Sequence, residues 1–318
     1  MVPLDARSLV NRARSVIVLA QSHGRLGNRL WTLANLLAYA IERQFALVAP
    51  PYSDALKSLV LTRRTRLLGG WAGKLNVLAY RVNLKLPLFP TLLLKEGELL
   101  DLDHDPDFER LARLRRVLFL SGFYFAAPKS LKRHREAIIS TLAPGSEVLR
   151  RARNTVSRCS RCTDIQIGVH MRRVDYRTFC DGLLFYTDAE FYRVMQHLAE
   201  RFRPRTVFFN LVSDEPIDAT AFRGLNVKVH QGSPVEDMYV LASCNYIIGP
   251  NSSFSHWASF CGAVPLHVLD WKTMDRFSPN DAVYYPDPDR HFRVFEAADF
   301  GNHSSRRVSV RELLQRLA

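Results

Sequence analysis

The second half of the chain alternates short apolar runs with longer amphipathic segments. The runs have the length of buried strands and are Ile165–Met171, Thr206–Leu211, Val227–Val229, Tyr246–Ile248 and Pro265–Leu269. The segments between them carry apolar residues at helical spacing and are Glu190–Phe202, Val235–Ser243 and Ser253–Cys261. Strands that alternate with helices predict a parallel sheet covered on both faces, which is an α/β domain of Rossmann type.

The first half opens with a similar unit and then loses its regularity. Ser15–Ala20 predicts a buried strand, which Gly24, Gly27 and a helix over Leu30–Ile41 follow. Further strands are predicted at Phe45–Val48 and Val117–Phe125, and further helices at Pro128–Leu142 and Ser146–Ser157. Residues 55–115 show no clear period and predict irregular insertions or short helices. We place a domain boundary near residue 160, which gives domains 1–160 and 161–318.

Composition indicates a globular protein of two domains. The 318 residues are 47% hydrophobic and 24% charged, with a formal net charge of +13. Such a charge attracts polyanions, pyrophosphates or an anionic membrane surface, so a peripheral membrane contact is compatible with it. No apolar run approaches the roughly 20 residues that span a bilayer, and no secretory signal is visible, so we expect a cytoplasmic protein.

Five cysteines argue against a disulfide framework because their number is odd and no secretory signal accompanies them. Cys159 and Cys162 form a C-x-x-C pair, but a structural zinc site needs two more ligands at a matching spacing. The sequence therefore favours free thiols and no bound metal.

The segment from His170 to Tyr176, HMRRVDY, carries the strongest chemical signal. It lies where the strand from Ile165 ends, and open α/β sheets bind ligands at the carboxyl ends of their strands. Alternation along the strand places His170 and Arg172 on one side and Arg173 with Asp175 on the other. Arg172 is then the expected phosphate ligand, and Arg173 is expected to be held by Asp175.

Three further turns follow predicted strands. NSSFSHW, from Asn251 to Trp257, offers the Ser252 and Ser253 hydroxyls, with Ser253 as the expected cap of a helix whose start favours an anion. SDEP places Asp214 where a carboxylate can bind a purine edge or a ribose. GRLGNR, which contains Asn28, lacks the Lys-Ser/Thr ending of a phosphate loop, so nucleoside triphosphate hydrolysis is not indicated.

Together these segments resemble the inverting fucosyltransferases. GRLGNRLWTLANLLAYA is similar to their opening glycine-asparagine segment, in both the bacterial alpha-1,2 and the protein O-fucosyltransferase branches. GVHMRRVDY resembles their H-x-R-R-x-D-Y motif, and SDEP followed by DMYVLASCNYIIGPNSSFSHWASF is most similar to the alpha-1,2-fucosyltransferase family. The resemblance runs from about residue 24 to 265.

The resemblance implies a GT-B-like fold, with two Rossmann-like domains facing across a cleft, and a metal-independent enzyme that needs no cofactor. GDP-fucose would bind the C-terminal domain and a glycan acceptor would lie in the cleft. Arg172 would bind the donor β-phosphate with Arg173 beside it, and His170 and Asp214 would face the nucleoside. Ser252, Ser253 and Phe254 would line the diphosphate and fucose. Asn28 would reach the reacting centre, or cap its own helix instead.

Two departures and one open role accompany the resemblance. Val174 stands where the alpha-1,2 branch has Gly, and His256 replaces the first Trp of its W-W pair, so the acceptor and linkage are open. Inversion also requires a group that takes the acceptor proton. Asp175 is the nearest carboxylate, and a donor phosphate oxygen is the alternative.

Three other functions remain to be weighed. Asp101, Asp103, Asp105 and Asp107 alternate like a D-x-D manganese site, but no β-branched strand precedes them, which favours an acidic loop. A basic nucleic-acid-binding protein is suggested by Arg150, Arg151, Arg153, Arg158 and Arg161. No known nucleic-acid-binding motif accompanies these arginines. A transferase of another nucleotide sugar, or an inactive carbohydrate-binding relative, would share the fold.

Overall fold

A computed structural model describes residues 15–21, 24–49, 71–95, 97–122, 124–159, 163–269 and 306–315. Its strands are β1 Val16–Gln21, β2 Ala46–Val48, β3 Thr91–Leu93, β4 Glu98–Asp101, β5 Val117–Ser121, β6 Phe125–Ala126, β7 Ile165–Met171, β8 Val207–Ser213, β9 Val227–Val229, β10 Tyr246–Gly249, β11 Leu266–Val268 and β12 Arg306–Arg307. Its helices are α1 Leu26–Arg43, α2 Trp71–Lys85, α3 Pro106–Arg115, α4 Pro128–Arg133, α5 Arg135–Thr141, α6 Ser146–Cys159, α7 Asp188–Arg201, α8 Pro234–Leu241, α9 Ser253–Gly262 and α10 Val310–Gln315.

The first compact unit contains two parallel sheets. The larger has the strand order β2-β1-β5-β3, and the smaller has the order β12-β4-β6. The central strand β1 buries Ile17 and Leu19, and Ile17 lies opposite Leu47 of β2 and Leu118 of β5. Strands buried on both faces require helices on both sides, which explains why α1 is apolar around most of its circumference.

The second unit has one five-stranded parallel sheet with the order β11-β10-β7-β8-β9. The chain proceeds from β7 outward to β9, and α8 then returns it to β10 on the other side of β7. All seven residues of β7 are buried. The predicted Rossmann-like unit is confirmed, and the predicted bounds Ile165–Met171 and Val227–Val229 agree with the structure.

The division between the units differs from the boundary predicted near residue 160. The first unit ends at Pro144 and also contains β12 and α10, and the second unit begins at Gly145. Helix α6 packs against α8 of the second unit, while β12 pairs with β4 of the first. Both associations join elements far apart in the chain, which local pattern does not reveal.

Regular structure replaces the irregular region predicted over residues 55–115, of which residues 55–70 lie outside the described part. The acidic run begins at the end of β4, continues through the turn that joins β4 to α3, and ends in the first turn of α3, so the expected acidic loop is a short turn between two regular elements. Asp105 caps α3 by accepting hydrogen bonds from the backbone N of Asp107 and Phe108. Asp103 accepts from the backbone N of Lys129 and Ser130 at the start of α4. These carboxylates serve different helix starts, which explains their spacing without a metal.

The expectations on membrane-spanning helices and on cysteines can be compared with the described residues only. None of the described helices is long and apolar enough to cross a membrane. Cys162 of the C-x-x-C pair lies outside the described residues, and Cys180, Cys244 and Cys261 form no disulfide with one another.

Candidate functional site

Three neighbouring strands of the second unit end at one edge of the sheet, and the predicted site residues follow them. Arg172 comes after β7, Asp214 after β8 and Ser252 after β10. The strand order reverses between β7 and β10, where the chain turns outward in opposite directions. Open α/β sheets bind their ligands at such a switch point. The candidate site therefore lies at the carboxyl ends of β7 and β10.

The Arg172 guanidinium lies between two carboxylates of unequal exposure. Its Nη1 is 3.0 Å from Asp214 Oδ2, and its Nη2 donates to Asp175 Oδ2 at 2.7 Å. The Arg172 side chain is 13% exposed, that of Asp214 17% and that of Asp175 44%. The guanidinium carbon also lies 5.5 Å from the ring centroid of Tyr176. Asp214 is thus the sheltered partner of Arg172 and Asp175 the accessible one.

Asp214 also holds the turn that follows β7. Its Oδ1 accepts hydrogen bonds from the backbone N of Arg173 at 2.9 Å and of Val174 at 3.3 Å. One carboxylate therefore fixes both the turn and the Arg172 side chain. These contacts point to a positioning role for Asp214, and its expected contact with a nucleoside stays a prediction.

Arg173 does not pair with Asp175 as the alternation predicted. Its side chain is buried, forms an ion pair with Asp188 at the start of α7 and lies 3.7 Å from Glu215. Strand β7 ends at Met171, and the turn that follows redirects the side chains, so alternation fails from Arg172 onward. Arg173 thereby connects the turn after β7 to α7, whereas Arg172 is the arginine that pairs with Asp175.

His170 is a buried member of β7. Its ring lies 4.9 Å from that of Phe254, centroid to centroid, at an interplanar angle of 31°. Burial, together with the nearby Arg172 charge, lowers the pKa of His170 to about 3, so the ring is neutral at physiological pH. A Cβ on Gly249 would lie 2.8 Å from the His170 carbonyl oxygen, so β10 approaches β7 this closely only with glycine.

The start of α9 forms the other side of the switch point. Ser252, and not Ser253 as predicted, is the cap, because Ser252 Oγ accepts a hydrogen bond from the Phe254 backbone N. Ser253 is the first helical residue. Tyr176 Oη donates to the Asn251 carbonyl oxygen at 2.7 Å and so joins the turn after β7 to the turn after β10. Burial raises the pKa of Tyr176 to about 12, which keeps it a donor.

The two departures from the family pattern differ in position. Val174 is exposed at the turn after β7. His256 is completely buried within α9, and burial lowers its pKa to about 3. Of the two, Val174 is therefore the one that is accessible from solvent at the candidate site.

Asn28 belongs to the first unit, where it is the third residue of α1. The cap position of α1 is Arg25, whose side chain does not bond to the first turn of the helix, so the alternative in which Asn28 caps the helix is wrong. Gly24 has a φ of +76°, and a Cβ there would lie 2.4 Å from Asn28 Nδ2. Glycine therefore allows the backbone before α1 to pack directly against the Asn28 amide.

Sequence reasoning missed three acidic residues at this edge of the sheet. Asp188 and Glu215 hold Arg173, and Glu215 also pairs with Arg177 at 2.7 Å. Asp237 lies in the first turn of α8, where its Oδ1 accepts a hydrogen bond from the Gly232 backbone N. Burial raises the pKa of Asp237 to about 6, and a perturbed carboxyl at a sheet edge is typical of functional sites. For Asp237, the available signal was its place at the start of the segment DMYVLASCNYIIGPNSSFSHWASF.

No group of three or more His, Cys, Asp or Glu side chains is arranged to hold a metal ion in the described part of the chain. The charged groups at the switch point instead neutralise one another as arginine–carboxylate pairs.

Comparison with known proteins gives one family and several related folds. The sequence model of glycosyl transferase family 11 matches residues 119–286. A search of curated proteins found no match. The structure is similar to fucosyltransferase NodZ from Bradyrhizobium, with 17% identity and a TM-score of 0.51 over 81% of this chain and 96% of that one.

Two other solved structures resemble the chain equally. A mutant of FUT1 from Arabidopsis thaliana in complex with GDP has 14% identity and a TM-score of 0.50 over 88% of this chain and 76% of that one. POFUT1 in complex with GDP-fucose has 12% identity and a TM-score of 0.50 over 79% of this chain and 94% of that one. These likenesses show a GT-B-like α/β fold, as predicted.

Asp237→Asn tests whether the buried carboxyl is retained at a cost to stability. Because the folded state raises the Asp237 pKa above its ordinary value of 3.8, stability is lost as pH rises through about 6. The asparagine variant keeps an acceptor for the Gly232 N–H but carries no charge. We expect a higher denaturation midpoint than wild type at pH 7.5 and a smaller gain at pH 5.

Glu200→Gln, at an exposed carboxylate of α7, is the matched control and should show no such pH-dependent gain. A midpoint of Asp237→Asn that falls at pH 7.5, or rises equally at both pH values, would contradict a raised pKa of Asp237 in the folded state. If Asp237 also serves the reaction, the same variant will lose turnover while gaining stability.

Proposed function

Because the chain belongs to glycosyl transferase family 11, we propose that it transfers L-fucose from GDP-fucose to a glycan hydroxyl, with inversion and without a metal ion. The observation that carries the proposal is the placement of the Arg172 guanidinium and the α9 N-terminus on two sides of the sheet's switch point. FUT1 and POFUT1, whose structures contain GDP and GDP-fucose, support the choice of donor.

The leaving diphosphate explains the need for fixed positive groups. Fucosyl transfer proceeds through an oxocarbenium-like state, in which negative charge grows on the departing phosphate. A guanidinium can donate two parallel hydrogen bonds to phosphate oxygens, and a helix N-terminus offers free N–H groups with a favourable dipole. Arg172 and α9 would supply both without reorganisation during the reaction. The hydroxyls of Ser252 and Ser253 would add donors beside Phe254.

Donor binding would replace one of the two carboxylate partners of Arg172 with a phosphate of the donor. Asp175 is the more exposed of the two carboxylates, so an incoming phosphate can replace it while Asp214 keeps the guanidinium in place. The displaced Asp175 would then be free to accept the proton of the acceptor hydroxyl. In this scheme Asp214 positions Arg172, and Asp175 is the candidate base. A donor phosphate oxygen remains the alternative proton acceptor.

Arg173 would act indirectly. Its buried side chain is held by Asp188 and Glu215, so it anchors the turn that carries Arg172 and does not itself present a guanidinium to the donor. Removing one partner of a buried ion pair leaves an uncompensated charge, so this anchor is costly to disturb.

Two parts of the proposal depend on the resemblance. Asn28 would orient the acceptor hydroxyl or the transferred sugar, since an amide both donates and accepts hydrogen bonds. An alpha-1,2 linkage is the expected product, and the exposed Val174 is the residue of this chain most suited to alter the acceptor preference.

One assay tests both which nucleotide sugar is the donor and whether a metal ion is required. We expect hydrolysis or transfer with GDP-fucose, much weaker turnover with GDP-mannose and UDP-galactose, and full activity in excess EDTA. Equal use of UDP-galactose would overturn the assigned donor. Activity that EDTA abolishes and Mn²⁺ restores would overturn the metal-free mechanism.

Arg172→Ala is expected to remove nearly all turnover. A charge-assisted hydrogen bond contributes about 1.5–3 kcal/mol to binding, and the loss grows as charge develops on the leaving group. Arg172→Lys should remain poor because a point charge lacks the forked geometry. Arg150→Ala, at an exposed arginine of α6, is the matched control and should be fully active. Wild-type rates in folded Arg172→Ala would remove this residue from the site.

Asn28→Ser tests the role assigned from the resemblance. Serine shortens the side chain and keeps a polar hydroxyl near the start of α1. Because serine is smaller than asparagine, it introduces no clash with Gly24. We expect unchanged thermal stability and GDP affinity with most of the turnover lost. Unchanged turnover would confine Asn28 to a structural role in α1.

A further inference from the structure

Exposed apolar side chains are concentrated on one segment of the first unit. Of the eleven large apolar side chains that are exposed in the described part of the chain, seven lie within residues 78–93. This apolar patch consists of Leu78, Val82, Leu84, Leu86, Leu88, Phe89 and Leu93. Single exposed apolar residues are ordinary, whereas a concentration of them on one short segment is typical of an interaction surface.

A buried asparagine fixes the shape of the apolar patch. Asn83 Nδ2 donates to the Phe89 carbonyl oxygen at 2.9 Å and to Thr91 Oγ1 at 3.1 Å, and Asn83 Oδ1 accepts from the Phe89 backbone N at 2.8 Å. These bonds close the loop after α2 onto the end of that helix. The loop therefore presents Leu86 and Leu88 outward from a defined backbone.

The charged residues of the segment that carries the apolar patch are all basic. Residues 78–95 contain Arg81, Lys85 and Lys95 and no Asp or Glu. Arg81 and Lys85 are exposed on α2 among the apolar side chains. A surface that combines exposed leucines with basic side chains suits the headgroup region of a membrane, where phosphates meet acyl chains.

We propose that the apolar patch docks the protein on a bilayer that contains anionic phospholipid. The leucines enter the boundary between headgroups and acyl chains, while Arg81 and Lys85 lie among the lipid phosphates. A second copy of the chain fits this surface poorly, because two patches of the same positive charge repel. Lipid binding by this patch does not depend on which donor sugar the protein uses.

Vesicle co-sedimentation of the full chain tests the proposal. We expect binding to vesicles of phosphatidylcholine mixed with phosphatidylglycerol, weaker binding to phosphatidylcholine alone, and release by salt. The double variant Leu86→Asp, Leu88→Asp should lose at least about tenfold in vesicle affinity. Arg81→Glu with Lys85→Glu should lose at least about fivefold per side chain, together with most of the salt dependence. Leu114→Asp, at an exposed leucine of α3, is the matched control and should bind like wild type.

Three results would overturn the proposal. They are no binding of wild type to the anionic vesicles, binding by both double variants that equals that of wild type, and a loss in Leu114→Asp as large as that in the leucine double variant. Sedimentation velocity tests the other possible occupant, which is a second copy of the chain. Self-association that Leu86→Asp, Leu88→Asp abolishes, without vesicle binding, would make the apolar patch an interface between copies. Circular dichroism verifies folding, and if the leucine variant is unfolded, the Arg81 and Lys85 variant decides.

Discussion

The arrangement of the candidate site depends on the complete burial of β7. A strand covered on both faces carries apolar or hydrogen-bonded neutral side chains along its whole length, because an isolated charge inside the sheet would lose its hydration. Even His170 meets this requirement, since burial keeps its ring neutral. The first position at which a guanidinium can reach solvent is the residue after Met171. Charge therefore appears abruptly at Arg172, where the strand order reverses.

The charges that emerge there are fixed before any ligand arrives. Asp214 follows β8, yet it binds Arg172 and two backbone N–H groups of the turn after β7. Tyr176 joins the same turn to the one after β10. Three strand ends are thus connected by short polar contacts, and a loop that would otherwise be mobile becomes a rigid support. Preorganised donors of this kind stabilise developing charge without reorganisation.

The sequence predicted the second unit far better than the first, and the reason is the range of the contacts. Runs such as Ile165–Met171 show their burial locally, and the resemblance identified Arg172, Asp214 and Ser252 at the ends of adjacent strands. Side-chain partners were predicted poorly. Alternation holds only within a strand, so it gave Asp175 to the wrong arginine, and nothing in the local pattern linked Arg173 to Asp188. The short strands β3 and β4 were missed because β5, β6 and β12 complete their sheets from distant parts of the chain.

A site that neutralises its own arginine resolves a conflict between binding and stability. A guanidinium that is 13% exposed and lacks a partner would cost folding energy, because its hydration is largely removed. Two sheltered carboxylates would remove that cost and also repel a diphosphate. With one sheltered and one exposed carboxylate, the charge is balanced in the free protein, yet one partner can leave when a more highly charged anion arrives. Under the proposed function, the unequal exposure of Asp214 and Asp175 is therefore the feature that would let one arginine both support the fold and receive a diphosphate.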